Sequence, residues 1–111
     1  MKTELDKEQS QHLIDLGVSK EKASGIIKVF DEDGTLLYTL PIFKLEDLLN
    51  GEVLPNTIDG NRAHRTIQTY DGYHYAFYSY DYGRISNLNE AEELIDSLYQ
   101  LTCWYYGEYK K

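Results

Sequence analysis

The sequence predicts an α+β domain: an antiparallel sheet of about four strands, made as two β-hairpins, carrying an N-terminal helical segment, a short middle helix and a C-terminal helix packed on the sheet. Three observations predict it. Asp33-Gly34 and Asp71-Gly72 each interrupt a pair of β-prone runs, the strongest short-range hairpin signal. An apolar stripe at helical spacing runs toward the C-terminus. A length of 111 residues suits one hydrophobic core, and no repeat, low-complexity tract or linker divides it, so 1–111 reads as a single domain.

Residues 1–25 read as the helical segment. Asp6 and Gln9 have capping-box spacing, and Leu13 with Leu16 or Ile14 gives a short apolar face. Gly17 suits the left-handed position that ends a helix, and Ser19 can cap a further short turn over 20–24 before Gly25 breaks it. The first hairpin spans 26–41. Ile26, Ile27, Val29 and Phe30 lead into Asp31-Glu32-Asp33-Gly34-Thr35, and Leu36, Leu37, Tyr38 and Leu40 lead out. Gly34 is expected to hold a positive φ in a type I turn with a bulge, and Pro41 to close the second strand. Over 44–50 a short helix follows from Leu45, Leu48 and Leu49, with Glu46 and Asp47 in its first turn and Gly51 beyond it.

Residues 51–63, with Pro55 and Asp59-Gly60, read as an irregular connection. The second hairpin spans 64–80. A two-residue turn at Asp71-Gly72 sets Tyr70 against Tyr73, Gln68 against Tyr75 and Thr66 against Phe77 on one face. Thr69 with His74, Ile67 with Ala76 and Arg65 with Tyr78 then share the other. The C-terminal helix is expected over 89–106, capped by Asn89 with Glu92 completing the box, its stripe running Ala91, Leu94, Ile95, Leu98, Leu101, Thr102 and Tyr105. Gly107 is the expected stop.

Composition narrows the function classes. Eleven Lys and Arg stand against 19 Asp and Glu, a net charge of −8, which argues against nucleic-acid and anionic-membrane partners. The single cysteine excludes an internal disulfide framework and a Cys-based zinc site. No stretch approaches the roughly 20 apolar residues of a membrane span, and residues 1–12 lack a signal-peptide pattern, so a cytoplasmic location is expected.

The charge is unevenly spread. Residues 26–60 hold two cations and seven anions, whereas 61–85 hold three cations and two anions. The 61–85 stretch contains all three arginines and six of the 11 tyrosines. Arg62, Arg65, Tyr73, His74, Tyr75, Tyr78, Tyr80, Tyr82 and Arg84 are therefore the candidate binding surface, because Tyr and Arg dominate protein-interface hot spots. Against this stands the good fit of tyrosine to any half-buried strand. His64 and His74 fall on opposite faces of the hairpin, which argues against a shared metal. Trp104, Tyr105, Tyr106 and Tyr109 form a second aromatic group that could serve self-association.

Chemical motifs are absent. His12 to Ser19, continuing through Ala23 and Ser24, looks like the turn of a DNA-binding helix-turn-helix, but Gly25 and the β-prone Ile26–Phe30 run cut the would-be recognition helix short. Asp31-x-Asp33-Gly34 opens like a calcium loop, then has Leu36 and Ile42 where glycine and glutamate are needed. Cys103 lies late in the last helix as a small buried residue, and Ser79, Ser86 and Ser97 lack a nucleophile-elbow pattern. No phosphate loop is present. Neither catalytic residues, metal ligands nor a cofactor are assigned.

Three segments carry a resemblance: Glu8-Gln9 to Leu16-Gly17-Val18 with Lys22-Ala23-Ser24; Leu45-Glu46-Asp47-Leu48-Leu49; and Glu93-Leu94-Ile95-Asp96-Ser97-Leu98-Tyr99 leading to Trp104. In this order they resemble small uncharacterised proteins of gut Bacteroidetes genomes, phages and mobile elements. That family brings no activity or site residue, and the resemblance implies an accessory protein acting through a partner. The expected function is a non-enzymatic protein-interaction module, with a protein partner or self-association. The alternatives are an acidic inhibitor mimicking nucleic acid, drawing on Glu46, Asp47, Glu52, Asp59 and the Asp31–Asp33 tip, and an enzyme using dispersed carboxylates.

Overall fold

In the computed structural model, which describes residues 1–110, the N-terminal capping box forms as the spacing predicts. Gln9 N donates to the Asp6 carboxylate at 2.7 Å and Asp6 N donates to the Gln9 side-chain oxygen at 3.1 Å, opening α1 (Lys7–Asp15). Gly17, at φ +111°, turns the chain out of the helix, and Ser19 caps a single 3₁₀ turn, Lys20–Lys22. The residues before α1 are extended rather than helical. Thr3 and Leu5 exchange backbone hydrogen bonds with Leu45 and Phe43, both at 2.9 Å, so the chain start is stitched beside the middle helix and Leu5 enters the core.

The first hairpin comprises β1 (Gly25–Phe30) and β2 (Leu36–Ile42). The Asp31 carboxylate accepts from Asp33 N and Thr35 N, both at 2.9 Å, and Gly34 sits at φ +83°. The register passes from Val29 opposite Tyr38 to Phe30 opposite Leu36, which leaves Leu37 as a bulge. The strand runs on through Pro41, opposite Ile26, to Ile42 instead of closing at the proline. An edge strand tolerates this, because an absent N–H on its outer side breaks no ladder bond.

The middle helix α2 (Leu45–Leu49) is anchored by Leu48 and by a buried acid. Asp47 accepts from Ser24 N and Ser24 Oγ at 2.9 Å and from Lys44 N at 2.8 Å. These three bonds offset the desolvation of the carboxylate and fasten the root of the first hairpin to α2.

A five-stranded antiparallel sheet contains β3 (Thr57–Ile58), β4 (Ala63–Tyr70), β5 (Tyr73–Tyr80), β6 (Gly83–Arg84) and β7 (Glu90–Ala91). β4 and β5 pair in the expected register, from Tyr70 opposite Tyr73 to His64 opposite Ser79, with Asp71 and Gly72 at φ +51° and +80°. The expected irregular stretch 51–63 contributes β3, whose two residues pair with His64 and Ala63. The α+β class and the helices packed on sheet are as the sequence predicts. The two hairpins, however, belong to separate sheets.

The largest departure lies at 89–93. Asn89 does not cap a helix; at φ +54° it turns the chain, Glu90–Ala91 become a strand, and the C-terminal helix α3 is Leu94–Trp104. The reason is the second edge of β5, whose buried backbone needs partners. Residues 83–91 run back along it: Ile85 N donates to Tyr78 O at 2.9 Å, Tyr78 N to Ser86 Oγ at 3.0 Å, and Asn89 Nδ2 to Ala76 O at 2.8 Å. Side chains replace backbone partners where this last edge is irregular. Nor does Gly107 stop the helix. A π-helical turn, Tyr105–Tyr109, carries it onward, closed by Lys110 N donating to Tyr105 O.

The core lies between the five-stranded sheet and the helices. Ala63, Ala76 and Tyr78 meet Leu5, Leu13, Phe43, Leu48, Val53, Leu54, Ile95, Leu98 and Leu101, all buried. Each full side-chain burial of this kind stabilises the fold by about 1.5–3 kcal/mol.

Candidate functional site

The second hairpin does not present its candidate residues as one surface. Tyr78 is fully buried and donates its hydroxyl to Pro55 O at 2.6 Å; burial holds its phenol well above the ordinary range. Arg65, opposite Tyr78, is half-buried and structural. Its guanidinium donates to Leu48 O at 3.2 Å, Leu49 O at 2.7 Å and Leu54 O at 3.1 Å, closing the C-terminal end of α2 with a positive charge. Tyr75 and His74 are half-buried beside β7, and His74 Nδ1 lies 3.1 Å from Thr69 Oγ1.

Tyr80 is half-buried, donates to the Asp59 carboxylate at 2.7 Å and stacks on Tyr82 with ring centroids 5.4 Å apart. The hydrogen bond to Asp59, with burial second, pushes its phenol up to about 12. Tyr73 is exposed at the hairpin tip beside Tyr70, whereas exposed Tyr82, Arg84 and Arg62 lie toward the other end. Arg84 Nε donates to Ser86 O at 3.0 Å. Four of the nine candidates are thus exposed and they are divided between two ends of the sheet.

The C-terminal aromatic group is engaged within the chain. Tyr106 donates to Val53 O at 2.9 Å, Tyr109 accepts from Asp59 N at 3.1 Å, and Trp104 and Tyr105 flank Tyr78 with centroids 6.0 and 6.2 Å away. The π turn sets these hydroxyls against the 51–61 loop. Cys103 is half-buried, and burial pushes its thiol up. The acidic stretch is also dispersed: Asp31 caps its own turn, Asp47 is buried and Asp59 receives Tyr80. Helix-turn-helix geometry is ruled out, since the 3₁₀ turn at Lys20–Lys22 leads directly into β1. Among the described residues, no group of three or more His, Cys, Asp or Glu could hold a metal, and no helix is long and apolar enough to cross a membrane.

The largest group of exposed apolar side chains among the described residues lies on the first hairpin. Ile26, Ile27, Phe30, Leu36, Leu37 and Tyr38 are each between 37% and 62% exposed. The register sets Ile27, Val29, Tyr38 and Leu40 on one face and Ile26, Lys28, Phe30, Leu36, Thr39 and Pro41 on the other, with Leu37 at the bulge. The first face overhangs α1, where Tyr38 and Leu40 with Lys7, Gln11, His12 and Asp15 border an open groove of about 510 Å³. The second faces solvent. The molecule measures 58 × 32 × 19 Å. Its radius of gyration, 15.4 Å, exceeds the roughly 13 Å of a compact chain this long, in keeping with a protruding ribbon.

Sequence reasoning placed these residues in a hairpin and not in a site. The available signal was the weak polar alternation: apart from Lys28 and Thr39 both faces are apolar, as in a strand covered on both sides. Comparison with known proteins finds no matching family model, curated protein or solved structure.

Proposed function

We propose that this protein is a small non-enzymatic interaction module, an accessory protein acting through a protein partner, and that its contact surface is the β1–β2 hairpin. One observation carries the reading: a two-stranded sheet holds six large, substantially exposed apolar side chains on its two faces. An isolated hairpin is marginally stable in water, and ordinary monomers leave few contiguous apolar patches beyond a few hundred Å². A surface of this kind is covered when it works. The tyrosine-rich hairpin contributes mainly the scaffold, since its central side chains are committed to the core.

The test is retention of partners by the tagged protein in its native host. Leu37→Lys and Ile26→Lys place charge on exposed positions without disturbing the core, and binding is expected to fall while the circular dichroism spectrum is unchanged. A Tyr73→Ala, Tyr82→Ala double variant should bind normally. The reverse pattern would move the contact surface to the second hairpin.

A further inference from the structure

We infer that the β1 edge is covered by a second copy of this chain, added antiparallel about a two-fold axis to make a four-stranded sheet from two hairpins; the inference rests on the reading of β1–β2 as the contact surface. The two outer edges of the ribbon are not equivalent. β2 carries Pro41, which has no N–H to offer, and the Leu37 bulge, and both features blunt strand addition. β1 carries neither. Its six residues, Gly25–Phe30, pair only with β2, so among the described residues the outer row of donors and acceptors has no strand partner.

A copy of the same strand fits this edge in shape and charge. Both faces of β1 are apolar apart from Lys28, so an antiparallel copy continues each face with more Ile, Val and Phe. A register centred on Ile27 avoids setting Lys28 against its own copy. That register also brings the Asp31–Asp33 tip of one chain level with the 20–22 turn of the other. There Lys20 and Lys22 outnumber Glu21, Lys22 Nζ also donating to Glu52 O at 2.8 Å. Acidic tip then meets basic root twice, once at each end of the joint. Pairing along this edge brings Ile26, Ile27 and Phe30 of each copy beside the apolar side chains of the other across the joint.

Sedimentation equilibrium of the whole chain over a wide concentration range tests this, together with hydrogen exchange at both ends of the range. The expected result is a reversible dimer in which the amides of 25–30 gain protection with concentration and those of β4 and β5 do not. Ile26→Lys with Phe30→Lys should weaken dimerisation by about a hundredfold or more, equivalent to losing two apolar contacts. Lys20→Glu with Lys22→Glu should weaken it at low salt and much less at high salt. A chain that stays monomeric at every concentration overturns self-pairing and leaves the hairpin open to a different protein, which the host experiment decides. A dimer unaffected by Ile26→Lys with Phe30→Lys also overturns the self-pairing, by placing the contact between copies elsewhere, and the host experiment again decides the hairpin.

Discussion

Both hairpins of this protein turn at an Asp-Gly pair and both are built from β-prone apolar and aromatic residues, yet the middle of β5, Ala76–Tyr78, is enclosed while β1–β2 is bare along most of its length. The difference lies in what the rest of the chain supplies. β5 receives a strand on each edge, α3 on one face, and Ser86 and Asn89 side chains where its last edge is irregular. Among the described residues β1 receives only β2. A hairpin signal therefore specifies a ribbon and says nothing of whether the ribbon becomes scaffold or surface; that depends on how many neighbours the chain has left to cover it.

Several measurements would break or sharpen this contrast. The greatest effect is expected at the enclosed hairpin: Tyr78→Ala removes a fully buried ring and its bond to Pro55 O, and chemical denaturation should report a loss of about 3–5 kcal/mol. Next comes Arg65→Ala, which strips three carbonyls of a charged donor and should cost about 2–3 kcal/mol. Arg65→Lys should recover only part, because an ammonium cannot reach three carbonyls as the planar fork does.

Asp47→Ala cuts the bonds between α2 and Ser24 at the root of the bare hairpin. A loss of about 1–3 kcal/mol is expected, with faster hydrogen exchange in β1 and β2 than in β4 and β5.

Smaller still is the pH effect of Tyr80. Its phenol holds a proton more tightly in the folded state, so its contribution is complete below the unfolded value of about 10 and is lost as pH rises toward about 12. Thermal unfolding midpoints should fall over that window, and Tyr80→Phe should flatten the fall. At the bare hairpin, Leu37→Thr should change monomer stability by no more than about 0.5 kcal/mol, as expected of a surface position. A large loss there would mean that Leu37 is covered within the monomer.

The regions read correctly from sequence are those whose hydrogen bonds are local. The Asp6–Gln9 box, the Asp31 turn, the Leu45–Leu49 helix and the full Tyr70–Tyr73 to Arg65–Tyr78 register each depend on residues a few positions apart or on one tight turn. The misread regions answer to distant needs. Asn89 and Glu92 match a capping pattern, but the open edge of β5 draws Glu90–Ala91 into a strand and delays the helix to Leu94. Gly107 matches a helix stop, but the turn widens so that Tyr106 and Tyr109 reach the 51–61 loop. Arg65 was legible as part of a charged aromatic cluster; its role closing α2 was not, since Leu48 and Leu49 lie 16 or 17 residues away.

By itself the sequence determined the α+β class, the two ribbons, their turns and one register, because side-chain period and turn chemistry act over a few residues. Tertiary structure alone decided which ribbon is buried. Burial depends on how many strands and helices reach each face, and no local pattern carries that number. That division turned the tyrosine-rich hairpin into scaffold and left the plainer Ile, Leu and Phe hairpin as the surface to be covered.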